Sequence, residues 1–135
     1  MIVAEKKGSA LSHSNKVNKK VLIVDDSIKF CRSMAFSLRL KGFDVDICTN
    51  PFDAVDLVKG GQFDVVILDY LMPGMDGLKL TKKIKEKCES VPMVMVTGNR
   101  SRVVEEEFKS LGGSIVFDKI FDHDSFLSGL NEIMV

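Results

Sequence analysis

Five polar side chains in this sequence stand where short apolar runs end. They are Asp25, Asp26, Asp69, Thr97 and Lys119. A carboxylate at the end of a buried strand costs free energy unless a cation, a hydrogen-bond network or chemistry compensates it. In open α/β sheets, ligands bind outside the carboxyl ends of the strands. These residue types at these positions predict a site for a cation and an anionic group.

Three carboxylates brought close together repel one another unless a cation lies among them. Ligation by oxygen atoms alone, with few protein donors, suits Mg²⁺, which keeps several waters and favours an anionic substrate oxygen. Lys119 and Thr97 would then contact a phosphoryl group, and a carboxylate could accept it as an aspartyl phosphate. No glycine-rich nucleotide loop is present, so the phosphoryl group must come from another kind of donor.

Five apolar runs alternate with five segments of helical pattern. The predicted strands are Val21–Val24, Phe43–Cys48, Phe63–Leu68, Val91–Val96 and Ser114–Asp118. The predicted helices are Ile28–Lys41, Pro51–Val58, Leu78–Cys88, Ser101–Leu111 and Ser125–Met134. Strands joined by helices pair in parallel through right-handed connections. We therefore expect an α/β fold with a five-stranded, parallel, doubly wound sheet in the flavodoxin-like order 2-1-3-4-5, in a three-layer α/β/α sandwich.

Composition and charge narrow the class of protein further. The 135 residues are 45% hydrophobic and 28% charged, which is typical of a single soluble domain. Residues 1–20 hold five Lys and one Glu, so they carry +4 and the other 115 residues carry −4. This acidic body argues against nucleic acid as a partner. We interpret residues 1–18 as a flexible basic tail and residues 19–135 as the folded domain.

The cysteines and the hydrophobic runs indicate the cellular compartment of the protein. Cys31, Cys48 and Cys88 are odd in number and lack metal or redox spacing, which indicates a reducing, cytoplasmic setting. The sequence contains neither a signal-peptide run nor an apolar stretch of membrane-spanning length, so we expect no membrane insertion.

From about Lys20 onward the chain resembles the receiver domains of two-component response regulators. The residues that carry the resemblance are Asp25-Asp26, Asp69 with the run Met72-Pro73-Gly74-Met75-Asp76-Gly77, Thr97-Gly98, and Lys119. Each motif alone is weak evidence. Together, in order and at the right strand ends, they are specific.

The resemblance implies a role for each site residue. Asp69 would be the phosphoacceptor. Asp26, Asp69 and the backbone carbonyl of Leu71 would bind Mg²⁺, and Asp25 would hold the ion through water. Thr97 and Lys119 would contact the phosphoryl group.

The resemblance also implies the partners. A histidine kinase or a His-containing phosphotransfer protein would be the donor. Since no output domain follows Val135, we expect a stand-alone regulator that docks on a downstream protein or passes the phosphoryl group onward. It would be a signalling phosphoacceptor with self-catalysed phosphotransfer and dephosphorylation, and not a metabolic enzyme.

Two positions depart from the family pattern. Ile120 stands where receivers usually have a proline in a cis peptide bond, and a non-proline cis bond costs about 3–4 kcal/mol. Val116 stands where the family usually has Tyr or Phe, whereas Phe117 is expected on the other side of the strand. These departures favour an alternative function, that of a degenerate receiver acting as a phosphorylation-independent interaction module.

Several simpler interpretations remain open. Asp76 precedes Gly77 and could serve only as a helix cap. Phe36 and Leu40, four residues apart, could form a docking patch for a kinase or be scattered surface residues. A Mg²⁺-dependent phosphohydrolase is disfavoured because such enzymes usually need a second Asp at the position of Leu71.

Overall fold

The alternating strands and helices are all present in the computed structural model, which describes residues 4–7, 18–61, 63–119 and 123–134. The strands are β1 (Ala4–Lys7), β2 (Lys20–Val24), β3 (Asp44–Cys48), β4 (Val65–Leu68), β5 (Met93–Thr97) and β6 (Ile115–Asp118). The helices are α1 (Ile28–Leu40), α2 (Pro51–Gly60), α3 (Gly77–Lys87), α4 (Arg102–Ser110) and α5 (His123–Ile133). The ends of the ten predicted elements lie within two residues of the observed ones.

Polar caps determine where the helices begin. Ser27 accepts a hydrogen bond from the N–H of Phe30 at 3.2 Å, and Asn50 precedes the Pro that opens α2. Asp76 accepts one from the N–H of Lys79 at 2.8 Å and so caps α3. Side chains of this kind satisfy the backbone N–H groups that the first helical turn leaves free. The interpretation of Asp76 as a cap is confirmed.

The sheet has the strand order β1-β3-β2-β4-β5-β6. The five strands β3, β2, β4, β5 and β6 pair in parallel, in the predicted order 2-1-3-4-5. Val24 lies opposite Leu68, and Thr97 lies opposite Asp118, so the carboxyl ends of neighbouring strands are level. The predicted topology is confirmed, and it brings the strand ends together at one edge.

Two apolar clusters cover the two faces of this sheet. One packs α2, α3 and α4 against it, with Phe108 and Leu80 fully buried. The other packs α1 and α5, with Leu38 and Phe126 at its centre. These layers form the predicted three-layer sandwich. Among the described residues, the helices are too short and too polar to cross a lipid bilayer.

The strand β1 is a departure from the prediction. Residues 1–18 were interpreted as a flexible tail, but Ala4–Lys7 pair antiparallel with β3. The prediction does not hold for these four residues; residues 1–3 and 8–17 lie outside the described part of the chain. Backbone pairing explains the difference, since an edge strand offers unpaired N–H and C=O groups to any extended segment.

Candidate functional site

The carboxylates predicted from the sequence meet at the carboxyl edge of the sheet. Asp25 and Asp26 follow β2, and Asp69 follows the neighbouring strand β4. One oxygen from each lies within 4.8 Å of the others. Asp25 and Asp69 are buried, whereas Asp26 is exposed. We call these three residues the acidic cluster.

Lys119 connects two members of the acidic cluster. Its Nζ lies 3.0 Å from Asp25 Oδ2 and 3.1 Å from Asp69 Oδ2. Partial burial lowers the pKa of this ammonium, but its hydrogen bonds to the two carboxylates outweigh that effect and hold the pKa above the ordinary value. Lys119 therefore stays charged and directs its ammonium to Asp69.

Asp25 is almost completely removed from solvent, with 1% of its surface exposed. Burial raises the pKa of its carboxyl to about 6, although the N–H of Ser27 and the ammonium of Lys119 act in the opposite direction. The Ser27 N–H donates to Asp25 Oδ1 at 2.9 Å. Both oxygens of the carboxylate thus have partners, and desolvation still dominates.

The raised pKa of Asp25 predicts a pH-dependent stability. The folded, metal-free protein takes up a proton near pH 6 that the unfolded chain binds only at lower pH. Stability from this group is therefore present at low pH and is lost as the pH rises through about 6. We expect the free energy of unfolding to gain about 1 kcal/mol from Asp25 between pH 7 and pH 5.

Urea unfolding in the presence of a chelator measures this contribution. Other carboxylates titrate in the same range, so the informative quantity is the difference between the native protein and Asp25→Asn at each pH. That difference should grow in favour of the native protein as the pH falls. A difference independent of pH would show that the Asp25 carboxyl has an ordinary pKa.

Hydrogen bonds hold Asp69 in place through its backbone N–H and through its side chain. Its N–H donates to the carbonyl of Val24 on β2 at 3.1 Å, and the N–H of Tyr70 donates to Asp69 Oδ1 at 2.7 Å. The N–H of Gly77, at the start of α3, returns to the carbonyl of Tyr70 at 2.6 Å. The first residue of α3 is thus hydrogen-bonded to Tyr70, directly after Asp69, and this bond closes the loop between β4 and α3.

Thr97 lies fully buried at the end of β5. Its carbonyl accepts a hydrogen bond from the N–H of Lys119 at 3.1 Å, so the two residues are neighbours. Its Oγ1 accepts from the N–H of Asn99 at 3.1 Å. A hydroxyl that accepts in this way still has its own hydrogen to donate. Of the predicted residues, the structure thus brings the three carboxylates within 4.8 Å of one another, pairs Lys119 with Asp25 and Asp69, and places Thr97 beside Lys119.

The acidic cluster suits a small divalent cation. Three carboxylates and one ammonium leave a formal charge of −2 when all are ionised. The donor atoms are oxygens, which are the ligands that Mg²⁺ prefers. Asp26 is exposed, so a hydrated ion can reach the cluster from solvent. Leu71 follows Asp69 by two residues in an exposed loop, and its role as a backbone ligand remains a prediction.

The two departures from the family pattern fall on β6 and just beyond it. Val116 is buried in the cluster with α4, whereas the ring of Phe117 packs on the opposite face, 5.0 Å from that of Phe126. The predicted orientation of Phe117 is confirmed. Ile120 lies outside the described residues, so the geometry of the Lys119–Ile120 peptide stays a prediction.

Two contributors to the site were not recognised from the sequence. The ring of Phe30 lies 4.7 Å from Lys119 Nζ, and Gly77 allows the close return of α3 to Asp69. Phe30 is the third residue of α1, and Lys119 comes 89 positions later, so sequence periodicity cannot predict that the two are in contact. The Asp-Gly pair at residues 76–77 was a usable signal, since a glycine after a cap often marks a close approach of backbone.

Comparison with known proteins decides the family. The family model of the response regulator receiver domain matches residues 21–131. The chain belongs to this family. Receiver domains accept phosphoryl groups, generally bind Mg²⁺ through acidic residues, and interact with histidine kinases or phosphotransfer proteins and with downstream targets.

Solved receiver structures share this fold. A CheY-like receiver domain protein of Methanospirillum hungatei JF-1 is 23% identical with a TM-score of 0.83, over 87% of this chain and 94% of that one. The chemotaxis protein CheY4 of Vibrio cholerae is 28% identical with a TM-score of 0.81, over 87% and 99%. A Burkholderia pseudomallei response regulator with a phosphorylated aspartic acid and a calcium ion is 22% identical with a TM-score of 0.78, over 84% and 66%.

Proposed function

We propose that this receiver accepts a phosphoryl group on Asp69 from a histidine kinase or a His-containing phosphotransfer protein, in a Mg²⁺-dependent reaction. The observation that carries the proposal is the 3.1 Å contact between Lys119 Nζ and Asp69 Oδ2 inside the acidic cluster. A cation beside a carboxylate stabilises the negative charge of an arriving phosphoryl group. The same cation lies beside the carboxylate oxygen that would attack the phosphorus.

The transfer would be a single displacement at phosphorus. A carboxylate oxygen of Asp69 forms the new O–P bond while the P–N bond of the donor phosphohistidine breaks, and the electron pair leaves with the imidazole nitrogen. Lys119 donates to an oxygen of the transferring group, and Thr97 donates its remaining hydroxyl hydrogen to another. Hydrolysis of the aspartyl phosphate by water returns the carboxylate and inorganic phosphate.

The ion would be held by Asp26, Asp69 and the Leu71 carbonyl, with Asp25 contributing through water. When bound, Mg²⁺ supplies positive charge to the equatorial phosphoryl oxygens. The chain provides the rest of the arrangement: Lys119 and the Ser27 N–H hold the Asp25 carboxylate within the cluster, and the Tyr70 N–H orients Asp69. The Burkholderia pseudomallei structure, which holds a phosphorylated aspartic acid and a calcium ion on the same fold, supports this assignment.

Another nucleophile near the site is disfavoured by its protonation state. The Cys31 Sγ donates to the backbone carbonyl of Asp25 at 3.3 Å and is fully buried. Burial raises the pKa of this thiol to about 12, so the reactive thiolate is absent at neutral pH. Asp69 is therefore the nucleophile that we assign.

The surface of α1 is where we propose that the donor docks. Phe36 is 65% exposed and Leu40 is 70% exposed, and they lie four residues apart on the outer face of that helix. Two large apolar side chains at this spacing form one continuous patch. The transfer would take place in the cytoplasm, which the free Cys31, Cys48 and Cys88 support. The phosphorylated receiver would then dock on a downstream protein or pass the phosphoryl group onward.

Incubation with a small phosphodonor tests the proposal directly. We expect a mass gain of one phosphoryl group per chain in the presence of Mg²⁺, and no gain in the presence of a chelator. Borohydride reduction followed by peptide mapping should locate the modification at Asp69. Failure to label with Mg²⁺ present would instead favour a phosphorylation-independent interaction module, which the buried Val116 in the usual aromatic position also favours.

A further inference from the structure

We propose that Phe30 is a positioning residue for Lys119, with its ring holding the ammonium against Asp25 and Asp69. The inference rests on the proposed function, because it assigns the ring a role in the same phosphoryl transfer. The Phe30 ring centroid lies 4.7 Å from Lys119 Nζ. A cation at this distance from an aromatic face is attracted to the ring quadrupole.

A continuous series of contacts links Phe30 to both oxygens of the Asp25 carboxylate. The Ser27 N–H donates to Asp25 Oδ1 at 2.9 Å, and the Phe30 N–H donates to Ser27 Oγ at 3.2 Å. The Phe30 ring faces Lys119, whose Nζ returns to Asp25 Oδ2 at 3.0 Å. The Asp25 carboxylate therefore helps to position both the Phe30 backbone, through Ser27, and the Lys119 ammonium that the Phe30 ring contacts.

The ring of Phe30 also packs against apolar side chains. Phe30 is half-buried and packs against the apolar cluster that α1 and α5 form on the sheet. Lys119 in contrast has a long flexible stem, and 29% of its side-chain surface is exposed. A rigid aromatic face beside a flexible cation removes side-chain conformations that point into solvent. The ammonium is then in place before the phosphoryl group arrives, which is preorganisation of the kind that lowers a barrier.

Three variants separate positioning from simple packing. Phe30→Leu keeps an apolar side chain and removes the ring, whereas Phe30→Tyr keeps the ring. Phe63→Leu makes the same change at a ring that lies 4.9 Å from the Nζ of another lysine, Lys20, at the opposite edge of the sheet, and it is the matched control. The first measurement is made by NMR on the Lys119 ε-methylene, through its ring-current shift and its order parameter. We expect both to fall in Phe30→Leu and to stay near the native values in the other two variants.

The second measurement is the rate of labelling by a small phosphodonor with Mg²⁺. We expect Phe30→Leu to be slower by about three- to tenfold, the range of a cation–π contact at a partly exposed site. Phe30→Tyr and Phe63→Leu should keep the native rate. A native rate in Phe30→Leu, or an equal loss in Phe63→Leu, would overturn the proposal.

The two measurements also distinguish a failure of this inference from a failure of the proposed function. If the native protein takes up no phosphoryl group, the function is wrong, but the NMR measurement still decides whether the ring orders Lys119. An unchanged order parameter in Phe30→Leu would overturn the positioning role whether or not labelling occurs.

Discussion

Asp69→Asn is expected to take up no phosphoryl group from a small donor under conditions that label the native receiver completely. An amide lacks the carboxylate oxygen that forms the O–P bond, so the loss should be total and not partial. The Tyr70 N–H can still donate to the side-chain oxygen, and the fold should be retained. The variant also removes one negative charge from the acidic cluster, so Mg²⁺ should bind at least about tenfold more weakly.

Mass spectrometry measures the labelling, and calorimetric titration measures the Mg²⁺ affinity. Asp56→Asn is the matched control, since Asp56 is exposed on α2 and has no part in the acidic cluster. It should label and bind Mg²⁺ as the native protein does. Undiminished labelling of Asp69→Asn would place the acceptor elsewhere and remove the basis of the proposed function.

Gly77→Ala is expected to destabilise the receiver by about 2–4 kcal/mol, a large effect for one methyl group. A Cβ at this position would overlap the carbonyl oxygen of Asp69 and lie 2.9 Å from the Cα of Tyr70. Both neighbours are backbone atoms that directly follow β4, and the N–H of Asp69 is hydrogen-bonded to Val24 on β2, so neither can move aside without disturbing the sheet edge. Either α3 would move away or Asp69 would be displaced.

Urea unfolding of metal-free protein measures the first effect, and Mg²⁺ titration of the folded variant measures the second. Gly60→Ala is the matched control, because a Cβ on Gly60 at the end of α2 meets nothing within 4 Å. That control should be neutral or slightly stabilising, by up to about 1 kcal/mol. A Gly77→Ala variant as stable as the control would mean that the loop tolerates the methyl group by relaxing.

The strand ends of the site could be predicted because their signals are local. Buried parallel strands are continuous apolar runs, so the positions of Asp25, Asp69 and Thr97 at their ends are visible in the sequence. The parallel order then brings those ends to one edge without any knowledge of side-chain contacts. The pairing of Lys119 with two carboxylates follows from charge once that order is known.

The features that were missed depend on tertiary contacts or on backbone pairing alone. Phe30 faces Lys119 only because α1 and β6 are folded together, and no periodicity expresses that contact. The raised pKa of Asp25 arises from burial by neighbouring elements. The strand Ala4–Lys7 is polar and short, and its pairing comes from the free backbone of an edge, which the residue types do not encode.

The direction of β1 has a practical consequence for experiments on this receiver. Because β1 runs antiparallel to β3, Ala4 lies opposite Cys48, whose carbonyl accepts the N–H of Asp25 at 3.2 Å. An affinity tag or a fluorescent protein joined ahead of Ala4 would therefore start from the carboxyl edge of the sheet, where the acidic cluster lies. We expect a fusion at that end to crowd the acidic cluster, so labelling assays are best made on protein that carries no fusion there.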